Sequence, residues 1–271
     1  MTEEPRFRAD LYRGTAPDYD RYRLPYPQVL IDELCTRVAA RGDGRLLDLA
    51  CGPGTATFAL CDRFAEVWAV DLEPEAIALA ADKAQLLGVR NVRWMTGRAE
   101  DVHPDERFDV VTIGTAFHRL DRPTVAALAA GWLRPGGHLA LLWSSTPIDG
   151  PAPWQQAMSE LVVEWMDEVG ARDRLPPRLE EHFAEHPHVG VLEDAGFEVV
   201  GRHEVRVAHD WSVETVVGFL YSTSLLSRAV LGARAAEFED DVRERLHAIE
   251  PSGAFRDDAS FAYDLARRPR S

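Results

Sequence analysis

Two glycines and an aspartate have the types and spacing that most directly imply a ligand. Gly52 and Gly54 lie in a turn after the apolar run LLDLA, and Asp71 closes a second apolar run 19 residues after Gly52. Lacking Cβ, the glycines let backbone approach a ligand closely, and the helix that follows offers unpaired N–H groups. A carboxylate at the end of the next strand can accept hydrogen bonds from both hydroxyls of a ribose. The chemistry that fits is binding of a nucleotide-type cofactor. A dinucleotide fingerprint carries a third glycine or alanine where this chain has Thr57, so a pyrophosphate, and with it an NAD(P)-dependent oxidoreductase, is disfavoured.

Other reactive groups fall around that turn. Asp48 sits inside the first apolar run, where a carboxylate needs partners. Leu72 offers an apolar surface for one face of a base. His118 follows the fourth strand, FDVVTIG, and with a reference pKa near 6.5 it is the best-placed general base in the chain. His182, His186 and His188 form an H-x-x-x-H-P-H run, but no nearby thiolate completes a ligand set, so the expectation is no metal.

The elements needed to position these residues are legible in order. Strands are expected at 45–50, 66–70, 92–95, 108–114 and 138–143, alternating with helices at 27–41, 55–64, 74–87 and 123–133. On the first helix Val29, Leu30, Leu34 and Val38 form the apolar face. Five strands alternating with helices imply a parallel sheet, whose ligands lie beyond the carboxyl ends of the strands near the point where strand order reverses. A helix and a strand from Phe197 to about Val207 resume the core, and a last strand at 260–266 completes seven, antiparallel at its end. The fold expected is therefore α/β, a doubly wound, mostly parallel seven-stranded Rossmann-like sheet with helical cap insertions. The chain divides into a lid and cofactor-binding half (1–148), a cap insertion (149–188), core (189–211), a second cap element with Phe238, Val242, Leu246 and Ile249 in one stripe (212–250), and a final strand with a solvated arginine tail (251–271).

Composition narrows the class. The chain has 271 residues, 45 acidic against 30 basic, and a net charge of −15, which repels phosphate backbones and anionic lipid at long range. Neither nucleic acid nor membrane is the expected partner. Three cysteines without a C-x-x-C pair, and no apolar leader or run long enough to span a bilayer, point to reduced thiols in the cytoplasm.

The run DLACGPGT resembles the first motif of class I S-adenosylmethionine-dependent methyltransferases, whose ligand has an adenosine and an amino acid but no phosphate. APDYDRYRLPYP, GRAED, TAFHRLD and LRPGG are similar to further segments of that class. WSVETVVGFLYSTS resembles a segment of its trans-aconitate-like, small-molecule branch (methyltransferase type 11). The resemblance implies that the N-terminal arm is a lid, with Tyr19 over the sulfonium and Arg23 on the methionine carboxylate. Asp48 and Ala50 join Gly52 and Gly54 around the methionine, Leu72, Ala99 and Glu100 contact adenine, and Thr115 meets the amino group. His118 points toward the acceptor, and Tyr221 and Ser224 line its site. Where the family commonly has tryptophan, this chain has Arg119. The function implied is transfer of methyl from S-adenosyl-L-methionine, leaving S-adenosyl-L-homocysteine, to a small organic acceptor, with O- or S-methylation favoured. The alternative is a non-catalytic regulatory or scaffold protein that binds the same cofactor.

Overall fold

The computed structural model describes residues 4–270. Seven strands form one sheet: β1 (Arg45–Leu49), β2 (Glu66–Asp71), β3 (Val92–Thr96), β4 (Phe108–Gly114), β5 (Leu133–Ser144), β6 (Glu198–Ser212) and β7 (Ala254–Arg267). Their order is β3-β2-β1-β4-β5-β7-β6, parallel through β5, with β7 antiparallel to both its neighbours. The order reverses between β1 and β4, which opens a crevice at their carboxyl ends.

Eleven α-helices surround the sheet among the described residues. They are α1 (Ala16–Tyr22), α2 (Gln28–Arg37), α3 (Thr55–Leu60), α4 (Pro74–Leu87), α5 (Arg122–Trp132), α6 (Pro153–Glu168), α7 (Leu179–Glu185), α8 (His188–Asp194), α9 (Val213–Tyr221), α10 (Arg228–Leu231) and α11 (Ala235–Ile249). Strand alternation splits the core. Leu47 and Leu49 face α5 and α8, through Val125, Ala129 and Leu192, whereas Leu46 faces α2 through Leu30, Ile31 and Leu34. Both faces being covered explains why β1 is apolar throughout rather than alternating.

A third cluster lies outside the sheet and forms the cap. Trp154, Met158 and Trp165 of α6 pack with Phe219 and Leu220 of α9 and Phe238, Val242 and Leu246 of α11. The two helical insertions therefore share one core. The sheet itself supports them: β5 pairs with β7 only from Phe261 to Arg267, while β6 and β7 run on together to the Ser212–Ala254 pair. That overhang carries Trp211 and Phe255 into the cap cluster.

Several expected boundaries move. β6 runs to Ser212 and β7 begins at Ala254, because each finds its partner in the other beyond the end of β5. Arg134–Gly137, expected as a turn before a strand, lies within β5, because Gly136 N donates to Arg268 O and Arg268 N to Gly137 O. The tail is thus held: Arg267 pairs with Glu198 and Arg268 donates to Leu133 O. Val29 is 59% exposed, since α2 turns Ile31 and Cys35 inward with Leu30 and Leu34. Ile249, at the last turn of α11, is 40% exposed and leaves the stripe.

Candidate functional site

A cavity of about 610 Å³ opens at the carboxyl ends of β1 to β4. Its floor follows from the strands. After β1, Ala50 turns left-handed at φ 51°, and after β4, Thr115 does so at φ 50°. Left-handed backbone disfavours residues with Cβ, and such strain concentrates at ligand sites. Here the two kinks face each other across the reversal of strand order, and both residues line the cavity.

Between them lies the glycine turn. Gly52 has φ 55°, and a Cβ there would meet nothing within 4 Å, so its face is open toward the cavity it lines. Gly54 serves differently: at φ 90° it precedes α3, and a Cβ would strike Phe58 and Trp94 at 2.8–2.9 Å. It packs the turn and is not part of the cavity wall. Asp71 Oδ2 accepts from Gly52 N at 2.7 Å and Oδ1 from Glu73 N at 2.8 Å. Each carboxylate oxygen keeps a further lone pair for a hydroxyl. Burial raises its pKa and the three backbone N–H groups of Glu73, Gly52 and Leu72 lower it again.

Asp48 is fully buried beneath the turn, accepting from Thr57 Oγ1 at 2.5 Å and Thr112 Oγ1 at 2.8 Å. Burial dominates and pushes its pKa up to about 6. The threonine that stands where a dinucleotide site has its third glycine is thus used to satisfy the carboxylate. Leu72, Ala99 and Glu100 line the far side of the cavity, and Tyr19 lines its roof.

Besides Gly54, four sequence-derived residues are elsewhere. Arg23 donates to Ser222 Oγ at 2.8 Å and lies between the rings of Tyr19 and Phe219, 4.8 and 4.2 Å from their centroids. It ties the lid helix to the cap and is not in the cavity wall. Tyr221 is 1% exposed and its single hydroxyl proton is shared between Ala235 O at 2.9 Å and Glu239 Oε2 at 3.1 Å, joining α9 to α11. Ser224 is buried nearby at 3% exposure. Apolar packing of α9 on both sides explains why the Tyr221 side chain does not reach the cavity, and Ser224, past the end of that helix, does not line it either. His118 is not in the wall either: it stacks on Trp143 at 6.1 Å, and Trp143 stacks on His188 at 5.3 Å. Burial first, then the cations of Arg119 and Arg122 with His188 between them in effect, lowers its pKa to about 3. His182 and His186 are neighbours at 4.9 Å, but no group of three or more potential ligands among the described residues could hold a metal.

Residues that spacing did not single out complete the wall. Tyr26 lines it, 3.3 Å from Thr115 Oγ1, and burial raises its pKa. The arm from Glu4 to Thr15 roofs the cavity and is latched by Glu4, which pairs with the fully buried Arg122 and with His182 at 3.1 Å. No local periodicity marks such a strap, although Arg119, where the family motif has tryptophan, was a visible departure.

Residues 46–137 match a family model described as a methyltransferase domain. An uncharacterised methyltransferase of Mycobacterium tuberculosis is 33% identical over 160 residues, 58% of this chain and 61% of that protein. The ubiquinone/menaquinone biosynthesis C-methyltransferase of Klebsiella pneumoniae is 31% identical over 172 residues, 59% of this chain and 68% of that protein. The YcgJ protein of Bacillus subtilis superposes with a TM-score of 0.55 at 18% identity, covering 90% of this chain and 100% of that one. A [4+2]-cyclase shares the fold as well, at TM-score 0.53, 20% identity and coverage of 92% and 85%. The fold and cofactor site define the class, and the chain belongs to the class I S-adenosylmethionine-dependent methyltransferases. S-adenosylmethionine is its cofactor. The chain spans about three fifths of the length of the first curated relatives it matches.

Proposed function

We propose that the protein transfers the methyl group of S-adenosylmethionine to a small organic acceptor, with oxygen or sulfur as the methylated atom. The observation that carries this reading is the roofed cavity at the strand reversal, with the open Gly52 face and Asp71 at one wall and Tyr19 and Tyr26 at another. The bound cofactor supplies a methyl on a sulfonium, already a strong electrophile. Asp71 holds the ribose hydroxyls, Gly52 and Ala50 admit the methionine, and Ala99 and Glu100 take the base. The arm keeps water out. Alignment of this kind lowers a barrier by roughly 7 to 11 kcal/mol.

An oxygen or sulfur acceptor must shed a proton unless it arrives ionised. With a pKa of about 3 in its stack, His118 is neutral at pH 7 and only weakly basic, so its contribution is packing against Trp143 behind the cavity wall rather than proton removal. His118→Ala then lowers kcat by less than about tenfold, whereas a general base typically contributes 10²–10⁴-fold. A larger loss, with unchanged cofactor affinity, restores the base role.

The trans-aconitate-like branch, suggested by the arm and α9 segments, belongs to the same reading, as does a cytoplasmic location inferred from three unpaired cysteines. No helix among the described residues is long and apolar enough to cross a membrane. The net charge of −15 favours a small-molecule acceptor over nucleic acid. Incubation with S-adenosylmethionine and a metabolite panel, read by mass spectrometry, should yield one product heavier by a single methyl. Tight S-adenosylhomocysteine binding with no methylated product would favour the non-catalytic scaffold reading instead.

A further inference from the structure

The short helix α1 divides its residues between two neighbours. Ala16 and Tyr19 line the cavity, whereas Asp18, Arg21 and Tyr22 face the cap. Arg228 donates to Asp18 at 3.1 Å, Arg21 donates to Glu214 at 3.1 Å, and the Tyr22 ring lies against Gly218 of α9. Spacings of three and four residues keep each set on its own side of the helix. The contact with α9 is close, since a Cβ added at Gly218 would strike the Tyr22 ring.

Arg23 ends α1 in extended backbone and stands where those two sides meet. Its guanidinium carbon is 4.8 Å from the centroid of Tyr19 and 4.2 Å from that of Phe219, and its Nε donates to the buried Ser222 Oγ at 2.8 Å. Ring faces attract a cation, and a planar fork seated among such contacts loses its freedom to turn. Arg23 is absent from the cavity wall, so its reach into the site passes through the Tyr19 ring. Burial raises the pKa of the Tyr19 hydroxyl, the charge of Arg23 works against that rise, and the charge of Asp71 works with it. Tyr19 thus lies within electrostatic reach of both the cap cation and the carboxylate assigned to the ribose.

We propose that Arg23 is a positioning residue for cofactor binding, holding Tyr19 over the cavity from the cap side, so that α9 sets the roof under which the cofactor lies although no residue of α9 lines the cavity. The proposal rests on the S-adenosylmethionine reading and adds to it a path from the cap to the cofactor.

The test is isothermal titration of the full chain with S-adenosylhomocysteine, carried around the cycle of native protein, Arg23→Met, Tyr19→Leu and the double variant. Arg23→Met keeps an apolar stem between the rings and loses the cation and the donor to Ser222. It should weaken binding about fivefold, and Tyr19→Leu should weaken it about tenfold. In the double variant Arg23→Met should add less than about twofold, because the ring through which it acts is gone. Gly218→Ala, which pushes Tyr22 and with it α1 away from α9 while favouring the α9 helix itself, should weaken binding about as much as Arg23→Met. It carries the same cycle if Arg23→Met does not give a native-like thermal transition. Arg21→Met, which removes an exposed cation from the same helix, should bind as the native protein does.

The proposal is overturned if Arg23→Met or Tyr19→Leu binds S-adenosylhomocysteine as the native protein does. It is overturned equally if the two losses multiply in the double variant, as they would for a direct contact of Arg23 with the methionine carboxylate. A loss in Arg21→Met equal to that in Arg23→Met would trace the effect to α1 as a whole and overturn it too. Failure of the native protein to bind S-adenosylhomocysteine would instead bring down the cofactor reading beneath it.

Discussion

Single residues in this protein are set against their ordinary chemistry by burial, and the consequences can be measured. Asp71 accepts from Gly52 N and Glu73 N, so it shapes the glycine turn as well as offering lone pairs to a ribose. Asp71→Ala removes both contributions and should weaken S-adenosylhomocysteine binding by at least tenfold in a titration, with hydrogen bonds to charged groups contributing about 1.5 to 3 kcal/mol each. His118 gives a pH signature. Its folded pKa, about 3, lies below the ordinary value of 6.5, so the unfolded chain binds its proton more tightly. The stability contribution of the neutral ring is present above pH 6.5 and is lost as pH falls toward 3. Asp48 works in the opposite sense: raised to about 6, it stabilises the fold relative to neutral pH as acid protonates it. The histidine shift is the larger, at about 1.4 kcal/mol per unit. Urea unfolding at pH 7 and pH 5 should therefore show a smaller acid loss for His118→Leu than for the native chain.

At the scale of elements, the arm and the overhanging hairpin decide how the site closes. The arm has little regular structure and is held by a few anchors, of which Glu4 against the buried Arg122 is the deepest. Arg122 also donates to His186 O at 2.8 Å, so one side chain joins arm, α5 and the segment before α8. Removing one member of a buried pair costs up to about 3 to 5 kcal/mol, less here because Glu4 keeps His182 as a partner. Arg122→Met should destabilise the protein by about 1 to 3 kcal/mol, and limited proteolysis should cut the arm before the core. If the arm of the variant resists protease as the native one does, Glu4 is not its anchor.

For the whole molecule, two cores have separate duties. The sheet clusters hold the cofactor crevice, while the cap cluster around Trp165, Phe219 and Phe238 joins helices from two distant insertions. Phe238 is fully buried and touches no part of the cavity wall. Phe238→Ala should cost about 3 to 5 kcal/mol in chemical denaturation, the usual range for a buried phenylalanine. Affinity for S-adenosylhomocysteine at low temperature, where the variant remains folded, should stay within about twofold of native.

The residue pattern alone determined the parallel sheet, its order of strands and helices, and the cofactor turn, because these rest on local information: an apolar run, glycines at fixed offsets and a carboxylate 19 residues on. Asp48, Gly52, Asp71 and Leu72, read from that pattern, line the cavity, and so do Ala99, Glu100 and Thr115, which the family resemblance implied. What the tertiary structure decided are contacts between segments far apart in the chain. Arg23 was legible as a lid cation, but Ser222 and Phe219, nearly 200 residues away, draw it into the cap. Tyr221 and Ser224 carry a motif-like spacing, yet Tyr221 is drawn into the cap cluster and Ser224, just past the end of α9, is buried with it. His118 sits where a base would be expected, and burial in the assembled fold, with Arg119, His188 and Arg122 nearby, lowers its pKa to about 3. Arg119 was visible as a substitution in a motif. That two of its donors are buried without partners among the described residues, with the guanidinium over Phe7, is a property no stretch of sequence holds by itself, since the arm and the segment after β4 must meet to create it.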